Sequence, residues 1–473
     1  MRSSFAETMV PGVLAIVGIA SLVWWTVFGL GAPVVALKIR SPGLDGAPAE
    51  GLAVSQEPPV VGRPIRSDRK PSELPGSWPW FRGPNLNSIC DDEIPLARQW
   101  PEGGPPRLWS VELGQGYAAA AIANGCVYVL DYDEETLADT MRCLSLDDGR
   151  EIWRNSYPVE VAWNHGMSRT VPAVVGDYVI SLGPRCHVAC WNAKTGESLW
   201  LKDLVLEYQA TVPKWYAGQC PLIDTQSDRL ILAPGGDHLL IAVNYKTGEV
   251  IWESQNLGPK PWAMSYASIT PMEFEGRRGY IYCGTGGVAG VAADDGSILW
   301  HYDRWRNNVA MSPSPVVVGD GQIFLSSGYK VGSMMLQLKS DGGRLAAEPS
   351  FELNLKQFGS EQQTPVFFDG HLYGVRKRDE KLVCLDLGGN ELWNSGEDKF
   401  GLAPYMIADG LILALDDHGL LTLAEATPNE YRRLAQAQVI EEGHDAWGPM
   451  AMAAGRLILR DMTRMICLDV AKK

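Results

Sequence analysis

A seven-residue pattern recurs along the chain and constrains its fold more than any other feature. Its clearest copy is residues 246–252 (KTGEVIW), in which a turn precedes a strand. Gly248 can take the positive φ that closes a tight hairpin, and the residues after it alternate as in a half-buried strand. Trp252 is large enough to bury ~150–250 Å² against a neighbouring element. Because a single hairpin is not stable in water, its repetition predicts a larger architecture.

The glycine-to-tryptophan spacing recurs five times in full. The pairs are Gly149 and Trp153, Gly196 and Trp200, Gly248 and Trp252, Gly296 and Trp300, Gly389 and Trp393. Two further copies are eroded, since residues 334–347 place Ala347 at the tryptophan position and residues 420–434 keep neither landmark. The first four glycines lie 47, 52 and 48 residues apart, which predicts a blade of four short strands per repeat. Prolines mark the first strand of successive repeats, at Pro172, Pro221, Pro271, Pro315, Pro365, Pro404 and Pro449.

The two ends of the repeat array predict a closed ring. Residues 464–469 match the third strand of a blade, and the chain continues for only four more residues. Residues 107–113 (RLWSVEL) match the missing fourth strand, with Trp109 in place. We therefore expect the N-terminal strand to complete the last blade and remove an open edge. The predicted fold is all-β, an eight-bladed β-propeller over residues 107–473 that follows a lead-in segment, residues 78–106.

Two features precede the repeats. Residues 9–37 contain no charged residue and are long enough to span a bilayer, so residues 1–40 are predicted to form a transmembrane anchor. The length of the run favours an uncleaved span over a signal peptide. Residues 41–77 contain seven prolines and predict a disordered Pro-rich linker. The basic residues after the span favour a cytoplasmic C-terminus, by a rule that weakens for long translocated domains.

Charge and cysteine usage narrow the classes of partner. The net charge of −15 argues against nucleic acid and against an anionic membrane surface. Four of the nine cysteines share one register of the repeat, where small buried residues stand in other copies, so they predict packed thiols. Cys186 and Cys190 could pair across a turn, but the odd total favours free thiols. The acidic stretches 131–135 and 416–418 are interpreted as solvated turns rather than metal sites.

The repeat carries a family resemblance. Residues 190–200 (CWNAKTGESLW) resemble the tryptophan-docking motif of the PQQ-like, or quinoprotein alcohol dehydrogenase-like, eight-bladed propellers. That superfamily includes the quinoprotein alcohol dehydrogenases and the outer-membrane assembly factor BamB family. The resemblance covers about residues 78–473, and residues 78–84 (WPWFRGP) also resemble the lead-in of many bacterial PQQ-like repeat proteins. It implies a propeller in the periplasm, or otherwise outside the cytoplasm.

The resemblance also implies a test for catalysis. Quinoprotein dehydrogenases place a vicinal disulfide against PQQ and use a Glu, Asn and Asp set to hold calcium and act as base. This chain has no adjacent cysteine pair, that set cannot be placed on matching positions, and no C-x-x-C-H haem signature occurs. The residues point away from an enzyme, and we expect no catalytic residue, no metal and no cofactor. A PQQ-dependent dehydrogenase with a divergent site is the alternative.

The segments between blades carry the candidate binding residues. Five of the seven contain a tryptophan outside the docking register, and these segments share one face of a propeller. Aromatic loops near Arg and His predict a contact surface for a protein or ligand partner, such as an extended peptide, a planar ligand or an acidic partner; the alternative is that they plug the central channel. The candidates are Trp163, His165, Arg169, Trp215, Tyr216, Trp262, Tyr266, Arg304, Trp305, Arg306 and Trp447. Structural docking is assigned to Trp109, Trp153, Trp200, Trp252, Trp300 and Trp393. The predicted function is that of a membrane-anchored binding or assembly scaffold.

Overall fold

A computed structural model describes residues 56–162 and 164–473, together with residues 15, 17–19, 21 and 24. The chain divides into two units, Met1–Asp45 and Gly46–Lys473. The described residues of the first unit are helical. Within the described part of the chain, no helix is both long and apolar enough to cross a membrane. The predicted anchor, residues 1–40, lies almost wholly outside the described residues and stays a prediction.

The second unit contains eight sheets, six with four strands and two with five, and the predicted eight-bladed propeller is confirmed. Three strands come first in the chain: β1 (Ile65–Arg66), β2 (Ile89–Cys90) and β3 (Arg107–Glu112). Blade 1 contains β4 (Ala121–Ala123), β5 (Cys126–Asp133), β6 (Ala138–Ser145) and β7 (Glu151–Pro158). Blade 2 contains β8 (Ala173–Val175), β9 (Tyr178–Leu182), β10 (His187–Asn192) and β11 (Ser198–Asp203), and a short helix α1 (Leu204–Tyr208) follows it.

The next three blades repeat this order. Blade 3 contains β12 (Leu222–Asp224), β13 (Arg229–Leu232), β14 (His238–Asn244) and β15 (Val250–Gln255). Blade 4 contains β16 (Thr270–Phe274), β17 (Arg277–Gly284), β18 (Gly287–Ala292) and β19 (Ile298–Tyr302). Blade 5 contains β20 (Val316–Gly319), β21 (Gln322–Ser327), β22 (Gly332–Asp341) and β23 (Arg344–Leu353).

The last three blades return the chain to its beginning. Blade 6 contains β24 (Val366–Phe368), β25 (His371–Arg376), β26 (Lys381–Leu385) and β27 (Glu391–Asn394). Blade 7 contains β28 (Tyr405–Ala408), β29 (Leu411–Leu415), β30 (Leu420–Glu425) and β31 (Arg433–Gln438). Blade 8 contains β32 (Ala451–Ala453), β33 (Arg456–Arg460) and β34 (Arg464–Asp469), and its outer strand is β3. The pairing of Trp109 with Cys467 closes the ring as the sequence predicts.

The repeated glycine and tryptophan act between neighbouring blades. The Trp153 ring lies against Gly196 of the next blade, where a Cβ atom would stand 2.6 Å from it. The Trp153 indole N–H donates to the carbonyl of Ala193 at 2.8 Å. Gly196 has a φ of +71°, so the position needs glycine both for its conformation and for the ring above it. The same contact joins Trp109 to Gly149, Trp200 to Gly248 and Trp252 to Gly296.

The residue opposite each docking tryptophan explains the register of cysteines and other small residues. The cross-strand partner is Cys190 for Trp200, Cys384 for Trp393 and Gly290 for Trp300. A large side chain at that position would displace the ring, because directly opposed Cβ atoms lie only ~4.5–5.5 Å apart. All nine cysteines are free and buried.

Blade 5 departs from the sequence-based prediction. Its outer hairpin, β22 and β23, has ten residues in each strand, and Ala347 pairs with Leu338 far from the docking register. Phe351 instead stands opposite Met335 at a bulge, as the tryptophans do in other blades, and packs on Gly389 of blade 6. The assignment of Ala347 to the tryptophan position was therefore wrong. The longer strands hid the register, because the turn moved away from its usual spacing.

The described part of the predicted linker, residues 56–77, is ordered on the propeller. Strand β1 pairs with β7 and extends blade 1 to five strands. The Gly62 N–H donates to the carbonyl of Ser156, and the Ser72 N–H donates to the carbonyl of Gly125. Val61 and Leu74 also pack against the core, so the prediction of disorder was wrong for residues 56–77. Residues 41–55 lie outside the described part of the chain.

The lead-in segment enters the central channel, which the inner strands line. Trp78 exchanges two backbone hydrogen bonds with Ile122 on β4, and the Val174 N–H on β8 donates to the Pro79 carbonyl. The segment then crosses to the opposite side, where β2 pairs in parallel with β28. Arg82 is buried between these contacts and donates to the Pro365 carbonyl. The lead-in segment therefore fills the central channel from blades 1 and 2 across to blade 7.

Candidate functional site

A cavity of about 290 Å³ lies on the face formed by the inter-blade segments. All eight of these segments contribute to its lining, and Phe81 of the lead-in segment reaches it from the channel. The lining residues are Phe81, Tyr117, His165, Arg169, Trp215, Gly218, Cys220, Tyr266, Ser268, Ala310, Ser312, Tyr329, Glu361, Gln362, Gln363, Leu402, Trp447 and Pro449. A pocket at the centre of a ring fold is thus built from every repeat.

One wall of the cavity is a stack of Tyr117 on Trp447. Their ring centroids are 5.1 Å apart with an interplanar angle of 26°. The Trp447 indole N–H donates to Asp417 at 2.8 Å, and the same carboxylate oxygen accepts from the Leu402 N–H at 2.8 Å. Gln363 donates to the Trp447 carbonyl. These bonds fix the indole, so its half-exposed face is presented to the cavity in one orientation.

A second aromatic pair, Trp215 and Tyr266, lies in the lining contributed by blades 2 to 4. Their centroids are 6.0 Å apart at an angle of 49°, and the Trp215 N–H donates to the Tyr266 hydroxyl at 3.0 Å. The Lys214 ammonium lies 4.7 Å from the Trp215 ring centroid. Burial raises the pKa of Tyr266, so its hydroxyl is neutral across the physiological range.

Arg169 brings a cation to this aromatic lining. Its guanidinium carbon lies 5.2 Å from the centroid of Tyr117, a cation–π contact. One guanidinium nitrogen donates to the carbonyls of Asn164 and His165, both at 3.0 Å. Removal from water lowers the pKa of the Arg169 guanidinium, and the neighbouring tyrosines oppose that shift. The side chain remains charged, because an arginine titrates so far above neutral pH.

The acidic group of the lining is Glu361, which is already paired. Its carboxylate lies 3.4 Å from the Lys377 ammonium. Burial, followed by the charge of Glu361, raises the pKa of Tyr329 to about 12. The lining therefore combines one ion pair, one cation and several neutral aromatic side chains.

The structure brings some of the predicted binding residues together and separates others. His165, Arg169, Trp215, Tyr266 and Trp447 line the cavity. Trp262 and Trp305 do not, because both are buried in blade cores, at 4% and 3% exposure. Tyr216 is also buried and donates its hydroxyl to the Ala162 carbonyl. Arg304 and Arg306 are exposed, and Arg306 pairs with Asp303. Trp163 lies outside the described residues.

The cavity lining also includes two aromatic residues, Tyr117 and Phe81, that were not among the predicted binding residues. Tyr117 belongs to the segment between β3 and β4, which becomes an eighth inter-blade segment once β3 closes the ring. An aromatic residue in that segment is the same signal that the other inter-blade segments carry. Phe81 gives no such signal, since only the path of the lead-in segment brings it to the cavity.

The acidic stretches 131–135 and 416–418 were interpreted as solvated turns, but one aspartate in each has a structural role. Asp131 is buried, pairs with Arg142 at 3.1 Å and accepts from the Gly114 N–H. Asp417 holds Trp447 as described above. Within the described residues, no group of three or more His, Cys, Asp or Glu side chains could hold a metal ion.

The donors around the cavity do not match a calcium-bound quinone site. Its described lining contains a single carboxylate, Glu361, and neither Asp nor Asn. Cys220 is the only cysteine of that lining, so no vicinal disulfide faces it. The Glu, Asn and Asp set that the family resemblance implies for quinone enzymes is not assembled here.

A comparison with protein families agrees with the geometry of the blades. A family model described as outer membrane protein assembly factor BamB matches residues 137–395, more than half of the chain. The chain belongs to this PQQ-like propeller family. No curated protein sequence matches it significantly.

Solved structures share the fold of this PQQ-like propeller at low sequence identity. BamB from Moraxella catarrhalis superposes with a TM-score of 0.54 and 13% identity, over 77% of this chain and 99% of that one. A europium-containing methanol dehydrogenase gives a TM-score of 0.58 and 13% identity, over 82% and 89%. A computationally designed protein, Ika8, gives 0.52 and 11%, over 77% and 100%. Such similarity establishes the fold alone, since binding and catalytic proteins share it.

Proposed function

We propose that this protein is a membrane-anchored, non-catalytic binding scaffold that holds a protein or peptide partner at the central cavity. The observation that carries the proposal is the construction of the cavity. All eight inter-blade segments meet there, and two aromatic pairs are oriented by hydrogen bonds rather than buried in a core. Rigid, partly exposed aromatic side chains in a pocket are typical of binding hot spots.

The family supports a role in assembly. Its model is described as an outer membrane protein assembly factor, which favours a protein as the partner of this chain. We also propose that the propeller lies outside the cytoplasm, as the family resemblance implies, and that residues 1–40 anchor it to the membrane. A reporter that is active only in the cytoplasm, fused after Lys473, tests the placement. Strong reporter activity would contradict it.

Site-specific photocrosslinking in cells tests the binding role. A photoreactive phenylalanine analogue at Trp447 should give discrete adducts with a partner. The same analogue at Leu199, which is 45% exposed on an outer strand, is the matched control and should give none. Equal adducts from both positions, or none from Trp447, would contradict the proposal.

A pair of tryptophan variants separates binding from stability. Trp215→Leu should weaken crosslinking from position 447 and leave the melting temperature close to that of the unsubstituted protein, because Trp215 is half-exposed. Trp305→Leu should lower the melting temperature, because the Trp305 ring is buried in the core between blades 4 and 5.

The alternative, a PQQ-dependent dehydrogenase, needs a metal-held quinone. Absorption spectra of the purified protein, recorded with and without added PQQ and calcium, separate the two functions. We expect no saturable spectral change and no calcium-dependent oxidation of alcohols, because the donors of the lining do not match that site.

A further inference from the structure

Arg169 places a positive charge in the cavity wall without an acidic partner. No carboxylate among the described residues forms an ion pair with it, and its Nε atom is buried without a hydrogen-bond acceptor. Its other contacts are backbone carbonyls and the Tyr117 ring. Burying a cation without an anion is costly, so proteins pair such groups with a carboxylate or with a ligand.

The cavity is closed below by the lead-in segment. Phe81 borders the cavity as well as two smaller spaces beneath it, of about 20 and 10 Å³. Beneath it, Arg82 is buried and bonded to the inner end of blade 6. A ligand can therefore enter from the inter-blade face but cannot pass through the ring. About 290 Å³ is at the small end for ligand pockets, which suits one ring and a short polar group.

The rest of the lining defines the orientation of a ligand. The Tyr117–Trp447 stack and the Trp215–Tyr266 pair offer ring faces to a planar apolar group. Glu361 carries the negative charge of the lining and is already paired with Lys377, so it does not need a cationic ligand. An anionic group is therefore favoured beside Arg169, with its ring towards the aromatic pairs.

We propose that the cavity binds a carboxylate carried next to an aromatic ring, with the carboxylate at Arg169 and the ring against the Tyr117–Trp447 and Trp215–Tyr266 pairs. The inference rests on the proposed binding function and names the chemistry that this function recognises. The group has two sources, a free aromatic carboxylic acid or the end of a polypeptide chain whose last residue is aromatic.

Calorimetric titration of the full-length protein with matched acids and amides tests the inference. The probes are N-acetylphenylalanine, N-acetylphenylalanine amide, the peptide acetyl-Gly-Ser-Gly-Phe with a free carboxylate, and its C-terminal amide. Each acid should bind about 10- to 100-fold more tightly than its amide, the range expected for a hydrogen bond to a charged group. A tighter fit of the peptide acid assigns the site to a chain end, and equal affinities of the two acids assign it to a free ligand.

Two arginine variants complete the test. Arg169→Gln should remove the preference for acid over amide, while Arg304→Gln, at an exposed arginine of another inter-blade segment, should keep it. Because Arg169 also holds loop carbonyls, the acid-to-amide ratio of the unsubstituted protein provides a measure that needs no variant. Equal binding of acids and amides, or binding of neither, overturns the inference. If crosslinking from position 447 persists in that case, the proposed function stands without it.

Discussion

Single hydrogen bonds distinguish the docking tryptophans from one another. The Trp393 indole N–H donates to the Thr427 carbonyl at 2.7 Å. Trp300 is also buried, but its indole nitrogen has no partner in the described chain. The neighbouring hairpin of blade 5 is longer, so its turn does not present a carbonyl to Trp300.

We predict that Trp393→Phe destabilises the protein more than Trp300→Phe. Both changes remove a similar ring area, but only the first leaves a partly buried carbonyl without its donor. The free energy of unfolding should fall by about 1 kcal/mol more for Trp393→Phe. Urea unfolding of the two variants measures the difference, and equal losses would contradict the role assigned to the hydrogen bond.

Asp139 is a buried carboxyl group between blades 1 and 2. Both of its oxygens lack a hydrogen-bond partner in the described chain, and Tyr157 lies beside it. Burial raises the pKa of Asp139 to about 8. The nearby His187 is paired with Asp203, 3.4 Å away, and so does not neutralise it.

We predict that Asp139 makes the protein less stable as pH rises. The folded-state pKa lies above the unfolded value of 3.8, so from about pH 4 the unfolded chain loses this proton while the folded chain keeps it until about pH 8. The stability of the native protein should fall across this window. Asp139→Asn should flatten that part of the melting-temperature profile. A profile with the same slope in both proteins would show that Asp139 does not titrate as described.

At the scale of elements, the N-terminal segment has two different attachments. Strand β1 adds an outer strand to blade 1, which already has its own four strands. Arg66 and Glu197 join it to blade 2 through an exposed ion pair at 2.9 Å, of the kind that contributes little. The lead-in segment, in contrast, is buried in the channel.

We predict that removing residues 56–77 costs little stability. A chain starting at Trp78 should melt only about 2–5 °C below a chain starting at Gln56, because no blade loses one of its own strands. Both chains lack the predicted anchor, so the comparison isolates the ordered segment. Loss of the cooperative transition in the shorter chain would show that β1 is required for the fold.

The sequence revealed elements that repeat and missed those that do not. Residues 56–77 have the composition of a solvated linker, and their backbone bonds to blade 1 leave no mark in a side-chain pattern. The burial of Trp262 and Trp305 could not be predicted from the sequence either. Trp262 is covered because Gly286 leaves room for its ring, a contact that depends on the turn beside it. Loop tryptophans look alike until the backbone places them.

At the scale of the whole molecule, the number of blades followed from spacing. A constant repeat length, a missing last strand and a matching first strand predicted closure without any knowledge of packing. The cavity at the centre of the ring could not be predicted in the same way. Eight inter-blade segments and the lead-in segment form it together, so the pattern within neighbouring repeats does not reveal it.

We predict that the propeller does not survive loss of β3. A chain that starts at Gly114 lacks both β3, with Trp109, and the lead-in segment that fills the channel. Its β34 is left unpaired on the outer side. It should show no cooperative melting transition, whereas the chain starting at Trp78 should. Native-like melting of the shorter chain would refute the closure by β3.

The pairing of β3 with β34 also delays closure of the ring during protein synthesis. Trp109 leaves the ribosome 358 residues before its partner Cys467, which at ~5–20 residues per second is on the order of 20–70 s. During that interval the backbone edge of β3 lacks its partner strand, while complete blades form from the residues that follow it. Protease should cleave near β3 in ribosome-bound chains halted before Arg464 and spare it in the released protein. The propeller therefore closes only after its last strand, β34, has been synthesised and can pair with β3.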